Sequence, residues 1–254
     1  EISACLVGSE MCIRDRYHTP KGETLAVENM NLSVYSEEFL SIVGPSGCGK
    51  STVLSIISGL LRPSSGEITL LEKDKKRSDI VGYMLQSDYL FQWRTIEKNV
   101  MLGLEIKNAL NEKSKKYALK LLERYGLGKF KNSYPSQLSG GMRQKASLIR
   151  TLAVKPEILL LDEPFSALDY QTRLTLSREV REIIKKERKT AVLVTHDISE
   201  AISLSDRIAI LSKRPSRIKK IIELDKDFRN LPSSEKTRNK KFHEYFDVIW
   251  SEFE

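Results

Sequence analysis

The glycine-rich segment Gly44–Ser51 constrains the possible folds more than any other part of the chain. It reads Gly-Pro-Ser-Gly-Cys-Gly-Lys-Ser and fits the pattern G-x-x-x-x-G-K-[ST]. The short apolar run Phe39–Val43 precedes it, and Val53, Ile56 and Leu60 follow it at helical spacing. A strand, a tight loop and a helix in this order are typical of α/β folds that bind phosphate at the helix N-terminus. A dinucleotide loop is disfavoured, because no G-x-G-x-x-G occurs in this segment.

The residue types of this loop suit the phosphates of ATP. Glycines let the backbone turn tightly, so that consecutive N–H groups point at phosphate oxygens. Lys50 can reach the β- and γ-phosphates, and the Ser51 hydroxyl can bind Mg²⁺. The alternative, a chance glycine-rich turn, leaves the strand before it and the helix after it unexplained. The predicted phosphate-binding residues are Gly44, Pro45, Ser46, Gly47, Cys48, Gly49, Lys50, Ser51 and Thr52.

Two carboxylates follow a second apolar run. Ile158–Leu161 is followed directly by Asp162, Glu163 and Pro164. Because ligands of open α/β sheets lie at the carboxyl ends of the strands, Asp162 is expected to bind Mg²⁺ and Glu163 to act as general base on the attacking water. The alternative is a strand-end turn capped by acids. Together with the phosphate loop, the pair favours ATP hydrolysis.

Strand and helix patterns alternate along most of the chain, which predicts an α/β fold with a mostly parallel sheet covered by helices. Apolar alternation at Met30, Leu32 and Val34 predicts an early strand. Between Asp88 and Leu138 the patterns are mainly helical, which predicts an insertion. Further strands are predicted at Ile80–Leu85, Ala191–Thr195, Arg207–Leu211 and Ile218–Leu224, and further helices at Met142–Val154, Leu174–Lys186 and Lys236–Phe253.

Composition limits the alternatives. The 254 residues include 42 Lys and Arg against 34 Asp and Glu, a formal net charge of +8, but the charges are dispersed, which favours a solvated surface over a nucleic-acid site. No apolar run approaches the roughly 20 residues that a membrane-spanning helix needs. Three cysteines without a C-x-x-C pair predict neither a zinc site nor a disulfide framework and fit a reducing cytoplasm.

We expect three regions along the chain. Residues 1–16 lack a sustained period of 2 or 3.6 and resemble translated sequencing-adapter read-through, which predicts a non-native or disordered leader in place of a first strand. Residues 17–224 form the predicted nucleotide-binding domain, with a helical subdomain at about 87–150. Residues 225–254 form a tail with an amphipathic helix.

The string Leu138-Ser-Gly-Gly-Met-Arg-Gln144 resembles the signature motif of ABC ATPases. The resemblance extends over nearly the whole chain from Tyr17, with the motifs in the family's order. It implies that Tyr17 stacks on adenine and that Gln86 lies in the glutamine loop, where it senses Mg²⁺ and the membrane partner. It also implies that Asp169 lies in the D-loop and that His196 is the switch histidine, in contact with the γ-phosphate.

The resemblance further implies an architecture and an assembly. A P-loop NTPase core with a mostly parallel sheet is expected to carry an antiparallel β subdomain and a helical insertion subdomain. Two copies are expected to bind head to tail, so that each ATP lies between the phosphate loop of one copy and the signature motif of the other. The N-terminus of the Met142–Val154 helix would then be a second anion site. The expected contacts from this side are Ser139, Gly140, Gly141 and Gln144.

The string from Gln86 to Thr95 resembles the glutamine-loop region of nitrate, sulfonate and taurine importer ATPases, with Gln92 where that group has proline. The segment Ser212–Ile218 and the aromatic tail also fit the group. The intervening aromatic residues either receive a short helix of a permease or pack the helical insertion. Glu37 is another departure, because the family commonly has glycine at that turn.

The sequence therefore predicts the ATPase subunit of an importer, bound through a permease to the cytoplasmic face of the cell membrane. A second copy of the chain, the permease and a solute-binding protein are the expected partners, with ATP and Mg²⁺ as cofactors and no nucleic acid. An exporter or lipoprotein-release motor, a soluble ABC ATPase of DNA repair or translation, and a non-enzymatic nucleotide-binding module are the alternatives. The last is disfavoured by Lys50, Glu163 and His196.

Overall fold

A computed structural model describes residues 13–19, 22–66, 68–69 and 76–253, with side chains from residue 25 onward except those of residues 233 and 234. The strands are β1 (Ile13–Thr19), β2 (Gly22–Met30), β3 (Phe39–Val43), β4 (Val81–Met84), β5 (Ile158–Asp162), β6 (Thr190–Thr195), β7 (Arg207–Leu211) and β8 (Ile218–Glu223). The α-helices are α1 (Lys50–Ser58), α2 (Arg77–Ile80), α3 (Ile96–Ile106), α4 (Glu112–Arg124), α5 (Gly140–Ala153), α6 (Tyr170–Lys186), α7 (Ile198–Leu204), α8 (Lys226–Asn230), α9 (Ser233–Lys236) and α10 (Lys240–Ser251). Short 3₁₀ turns lie at Gly128–Phe130 and Pro135–Gln137.

Within the described residues, six strands form one sheet in the order β4-β5-β6-β3-β7-β8. All neighbours in it are parallel except β7 and β8, which pair antiparallel. The residues of β3, β5 and β6 are buried throughout, as expected for strands covered by helices on both faces. The strands β1 and β2 form a separate antiparallel pair. This arrangement confirms the predicted fold class.

The sheet order determines where the functional motifs meet. In the register of the sheet, Asp162 of β5 lies beside Val194 of β6, and Val43 of β3 lies beside Thr195 of β6. The carboxyl ends of three neighbouring strands therefore share one edge of the sheet. The loops that leave this edge begin at Gly44, at Glu163 and at His196.

The predicted early strand is correct in its burial pattern but not in its secondary structure. Met30, Leu32 and Val34 are buried while Asn31 is exposed, as the alternation predicts. The strand β2 nevertheless ends at Met30, and residues 31–34 belong to no strand. Apolar alternation reports which side chains face the core, and an extended segment can satisfy it without pairing to a neighbouring strand.

The helices α3 and α4 lie within the span predicted for the helical insertion, and α5 follows it. Val100, Leu121 and Leu148, one from each helix, belong to one buried cluster that also contains Leu161 of the sheet. Side chains cap these helices, since Thr95, Asn111 and Ser139 accept a backbone N–H of the first turn of α3, α4 and α5 respectively. The α5 helix therefore connects the helical region to the sheet.

The two ends of the chain have different surroundings. The strand β1 begins at Ile13, inside the segment 1–16 predicted to be a leader, whereas residues 1–12 lie outside the described residues. In the tail, Phe242 and Ile249 of α10 are buried against Phe228 and other residues of a third apolar cluster. Of the helices that the structure describes, none combines the length and apolarity needed to cross a bilayer.

Candidate functional site

The phosphate loop joins β3 to α1 and holds a conformation that only glycine adopts without strain at two positions. Gly47 has φ of 73° and Gly49 has φ of 119°. Gly49 is also tightly packed, because an added Cβ would lie 3.3 Å from the Ala26 carbonyl oxygen and from Ser216 Oγ. The backbone N–H groups at the start of α1 are the groups with which a helix N-terminus can bind an anion.

Lys50 holds the loop in place and retains capacity for a ligand. Its buried Nζ donates hydrogen bonds to the carbonyl oxygens of Gly44 at 2.8 Å and Pro45 at 2.9 Å. An ammonium group has three N–H donors, so one donor remains for a phosphate oxygen. Cys48 is also buried, and burial raises the pKa of its thiol, which keeps the thiol neutral inside the loop.

The first carboxylate lies beside the hydroxyl group predicted to bind the metal. Ser51 Oγ donates to Asp162 Oδ1 at 3.0 Å, and the Tyr83 hydroxyl donates to Asp162 Oδ2 at 3.1 Å. Burial raises the pKa of Asp162, while these two hydrogen bonds and the charge of Lys50 oppose the rise. The sequence analysis did not identify Tyr83, because its role depends on β4 lying beside β5.

The second carboxylate is held at the end of β5 by an unusual backbone conformation. Glu163 has φ of 43°, a left-handed value that is uncommon for a residue with a side chain. Its N–H donates to the Val194 carbonyl oxygen at 2.9 Å, and its own carbonyl oxygen accepts from Ser166 Oγ at 3.0 Å. These contacts turn the Glu163 side chain towards His196, whose Nδ1 lies 3.2 Å from Glu163 Oε2.

Gln86 is linked to Glu163 through Ser166. It follows β4, and its Nε2 donates to Ser166 Oγ at 3.2 Å. Ser166 therefore connects Gln86 to the Glu163 carbonyl oxygen. The side-chain amide oxygen of Gln86 makes no hydrogen bond to the described residues, which leaves it available to a cation or to water.

One cleft of ≈ 370 Å³ brings part of this group together, and His196 contacts its edge only through Glu163. Of the predicted residues, the lining includes most of the phosphate loop together with Gln86, Asp162 and Glu163. It also includes Arg214, which the sequence analysis noted only as part of the segment Ser212–Ile218. The signature residues Ser139, Gly140 and Gly141 and the D-loop residue Asp169 do not belong to this lining.

The signature residues instead begin α5 at a separate surface. Ser139 caps the helix by accepting the Met142 N–H at 3.3 Å. Gly141 is packed closely, since an added Cβ would lie 3.0 Å from Thr172 in the first turn of α6. Asp169 in turn caps α6 through the Thr172 N–H. The signature motif and the D-loop are therefore held together at a distance from the phosphate loop of the same chain.

Gln144 is almost fully buried within the single chain. Its side chain is only 5% exposed, and its Nε2 donates to the backbone oxygen of Gln86 at 3.3 Å. Its Oε1 is buried with no hydrogen-bond partner among the described residues. Within one chain Gln144 therefore supports the glutamine loop, and its contact with a nucleotide bound by a second copy stays a prediction.

Two further predictions concern Tyr17 and Glu37. Tyr17 lies in β1, and its side chain lies outside the described residues. Glu37, where the related group has glycine, adopts φ of 60°, so the turn keeps the conformation that favours glycine. Its carboxylate pairs with Arg188 at 2.6 Å, and its N–H donates to Thr190 Oγ1 at 2.9 Å. These contacts stabilise the left-handed residue.

The aromatic residues after Gln86 are exposed. Tyr89 is 61% and Trp93 is 74% exposed, and the rings of Phe91 and Trp93 lie 4.8 Å apart between centroids. The alternative that these residues pack the helical insertion is therefore wrong for Tyr89 and Trp93. An exposed aromatic group of this kind is typical of a protein interface.

Comparisons of the sequence with known proteins point to one family. A profile described as "ABC transporter" matches residues 27–166. The chain is 47% identical over 237 residues to the "Uncharacterized ABC transporter ATP-binding protein YtlC" of Bacillus subtilis, covering 93% of this chain and 91% of that protein. It is 39% identical over 242 residues to the "Aliphatic sulfonates import ATP-binding protein SsuB" of Bacillus cereus, covering 94% of this chain and 93% of that protein.

Solved structures agree with this result. The dimeric structure of MJ0796, described as a bacterial ABC transporter cassette, superposes with a TM-score of 0.72 at 33% identity and covers 85% of this chain and 98% of that chain. A second structure of MJ0796, in a post-hydrolysis state bound to ADP and Pi, has a TM-score of 0.71 at 31% identity.

Proposed function

We propose that the chain, which belongs to the ABC transporter family and hydrolyses ATP, drives a membrane importer. The proposed cargo is a small solute of the nitrate, sulfonate or taurine type. The similarity to aliphatic sulfonate import proteins, which extends over nearly the full length of the chain, is the observation that carries this proposal. We propose further that the chain works at the cytoplasmic face of the membrane, together with a permease and a solute-binding protein.

The cleft at the phosphate loop is the proposed ATP site. The loop from Gly44 to Thr52 supplies backbone N–H groups, and Lys50 supplies a cation for the β- and γ-phosphates. The residues also suit Mg²⁺, which prefers oxygen ligands: Ser51 Oγ and Asp162 Oδ1 lie 3.0 Å apart at the base of the cleft. When bound, Mg²⁺ would neutralise phosphate charge.

The protein ligands for this cation are few. In the part of the chain that the structure describes, no group of three or more His, Cys, Asp or Glu side chains could hold a metal ion. Mg²⁺ is commonly bound by one or two protein groups together with substrate phosphates and water. Ser51, Asp162 and Gln86 are therefore the proposed protein ligands, with Asp162 acting directly or through water.

Glu163 is the proposed general base. Its carboxylate can accept a proton from the water that attacks the γ-phosphate, while His196 contacts that phosphate. The 3.2 Å contact between His196 Nδ1 and Glu163 Oε2 orients both side chains. The left-handed backbone at Glu163 stores strain at this position, as functional residues often do.

Two copies of the chain are the proposed active unit. The MJ0796 cassette is dimeric, and in this chain the signature residues lie away from the cleft of the same subunit. In the proposed head-to-tail dimer, Ser139 and the α5 N-terminus of one copy face the nucleotide bound by the other copy. ATP then bridges the two copies, and hydrolysis removes the bridge.

The exposed aromatic group formed by Tyr89, Phe91 and Trp93 is the proposed permease-binding surface. It lies in the same loop as Gln86, whose side chain borders the ATP cleft. The loop is anchored to α5, because Arg150 donates to the backbone oxygens of Asp88 and Tyr89, each at 2.7 Å. Contact with a permease at this surface would therefore be close to the catalytic groups.

The test compares two exposed tryptophans. We would express the chain with the permease encoded beside its gene and measure co-purification from detergent-solubilised membranes, ATPase activity and uptake of labelled nitrate, taurine and aliphatic sulfonates. Trp93→Ala should lose permease binding and uptake but keep ATP binding, because the side chain is exposed and outside the cleft. Trp250→Ala is the matched control, since Trp250 is 55% exposed on α10.

Two results would refute the importer proposal. One is recovery of the wild-type chain with DNA or ribosomes and without an integral membrane protein. The other is transport of solute only out of the cell. Equal loss of permease binding in the Trp93 and Trp250 variants would refute the proposed permease-binding surface. It would not contradict the conclusion that the chain is an ATPase.

A further inference from the structure

The turn between β7 and β8 lies against the phosphate loop. It spans residues 212–217, and β7 is the neighbour of β3, the strand that leads into that loop. Ser216 pairs with Val27 as an isolated bridge, and its Oγ donates to the Ala26 carbonyl oxygen at 3.2 Å. Gly49 of the phosphate loop packs closely on Ser216, since an added Cβ would lie 3.3 Å from Ser216 Oγ. The turn is therefore part of the wall of the ATP site.

Several hydrogen bonds order this turn. Arg217 Nη2 pairs with Glu28 Oε2 at 2.6 Å, and Arg217 Nε donates to the same oxygen at 3.2 Å. Ser212 Oγ accepts the Arg217 N–H at 2.9 Å and lies 2.9 Å from the Lys213 carbonyl oxygen, to which it donates. These hydrogen bonds join Ser212 and Arg217, the two ends of the turn, and tie Arg217 to Glu28. The turn is therefore held beside the phosphate loop by contacts within the protein.

Arg214, at the tip of this turn, differs from Arg217 in having no hydrogen-bond or ion-pair partner among the described residues. It is exposed, borders the cleft, and makes no hydrogen bond or ion pair with any residue that the structure describes. Its charge acts on the phosphate loop: it lowers the pKa of the Cys48 thiol, against a larger rise caused by burial. Lys50, by contrast, already donates to two loop carbonyls.

We propose that Arg214 binds the phosphate chain of the nucleotide held in this cleft. A guanidinium group has five N–H donors in a planar fork that matches two phosphate oxygens, and it binds phosphate more specifically than an ammonium group does. The anchored turn presents the Arg214 backbone in one place, which lowers the entropic cost of the contact. This inference rests on the proposed placement of ATP in the cleft. It adds to the Lys50 site a cation from a distant part of the chain.

The experiment measures nucleotide affinity with EDTA present, so that turnover does not interfere. Displacement of a fluorescent ATP analogue by ATP and by GTP would be followed for wild type, Arg214→Gln, Arg214→Lys and Lys50→Ala. Arg214→Gln should weaken ATP and GTP equally, by about 10-fold (about 1.4 kcal/mol), because their phosphate chains are identical. Arg214→Lys should recover part of the affinity. Lys213→Gln is the control, because Lys213 is exposed in the same turn and does not border the cleft.

The outcomes separate this inference from the proposed ATP site. Failure of wild type to bind ATP, or binding that does not depend on Lys50, would refute the ATP site itself. Normal Lys50-dependent binding with an unchanged Arg214→Gln variant would refute only the Arg214 contact. A loss confined to ATP would show that the guanidinium contacts the base, and an equal loss in Lys213→Gln would show a general effect of charge. Either result would overturn a direct phosphate contact.

Discussion

Replacement of Glu200 by glutamine should stabilise the protein, and the gain should increase with pH. Glu200 lies in the first turn of α7, beside the switch region that contains His196, and is 9% exposed. Its Oε1 is buried without a hydrogen-bond partner among the described residues. Burial raises the pKa of this carboxyl from 4.5 to about 7, and the charges of Asp197 and Glu163 add to the rise. The Thr195 side chain and Arg173 oppose it.

The sign of the effect follows from the protons bound in each state. Between pH 4.5 and about 7 the folded protein keeps a proton on Glu200 that the unfolded chain has released, so the free energy of unfolding falls as the pH rises. At about 1.4 kcal/mol for each pKa unit, the full loss is roughly 3 kcal/mol, of which roughly 2 kcal/mol falls between about pH 5.5 and about pH 8. Glutamine resembles the protonated carboxyl and removes this loss.

Urea unfolding followed by tryptophan fluorescence, at about pH 5.5 and about pH 8, measures the difference. The free energy of unfolding of Glu200→Gln should exceed that of wild type at both pH values. The difference between the two proteins should be larger at the higher pH by roughly 2 kcal/mol. Glu182→Gln, an exposed carboxylate on α6, is the matched control and should change neither value by more than about 0.5 kcal/mol. An advantage that is absent or independent of pH would refute the assignment of a neutral buried carboxyl.

Two further predictions concern the site itself. Glu163→Gln should lower ATP turnover by about 10²–10⁴-fold and leave ATP binding intact, so that the ATP-bound dimer accumulates in size-exclusion chromatography. Glu157→Gln is the control, because Glu157 is an exposed carboxylate that pairs with Lys189. A Glu163→Gln chain that stays monomeric with ATP would contradict the ATP site shared between two copies. Gln144→Ala should lower the free energy of unfolding by about 1–2 kcal/mol in urea, because it removes a buried hydrogen bond to Gln86. Unchanged stability with weakened ATP binding would instead support Gln144 as a nucleotide contact.

The motifs of the site were predictable because each is a local pattern. Gly44–Ser51 combines residue types whose backbone conformation and charge suit phosphate wherever a strand and a helix flank them. The strands β3 and β7 have the predicted bounds, since each is a short, mainly apolar run. The fold class and the family resemblance are confirmed for the same reason.

The side chains that connect these motifs were not predictable. The hydrogen bond from Gln144 to the Gln86 backbone oxygen was not predicted, because it depends on how α5 packs against the glutamine loop. Arg214 carried no signal as a lone cation in a turn. Glu200 carried none either, because its pKa depends on burial that no local pattern reports.

Local sequence patterns thus establish which chemical groups the chain brings to a nucleotide, because spacing along the chain sets the phosphate loop and the carboxylate pair. Which of those groups meet depends on the three-dimensional fold. The order of the strands places the ends of β3, β5 and β6 at one edge, and with them Gly44, Glu163 and His196. Such contacts join residues far apart in the chain, and their geometry depends on the packing of the whole sheet.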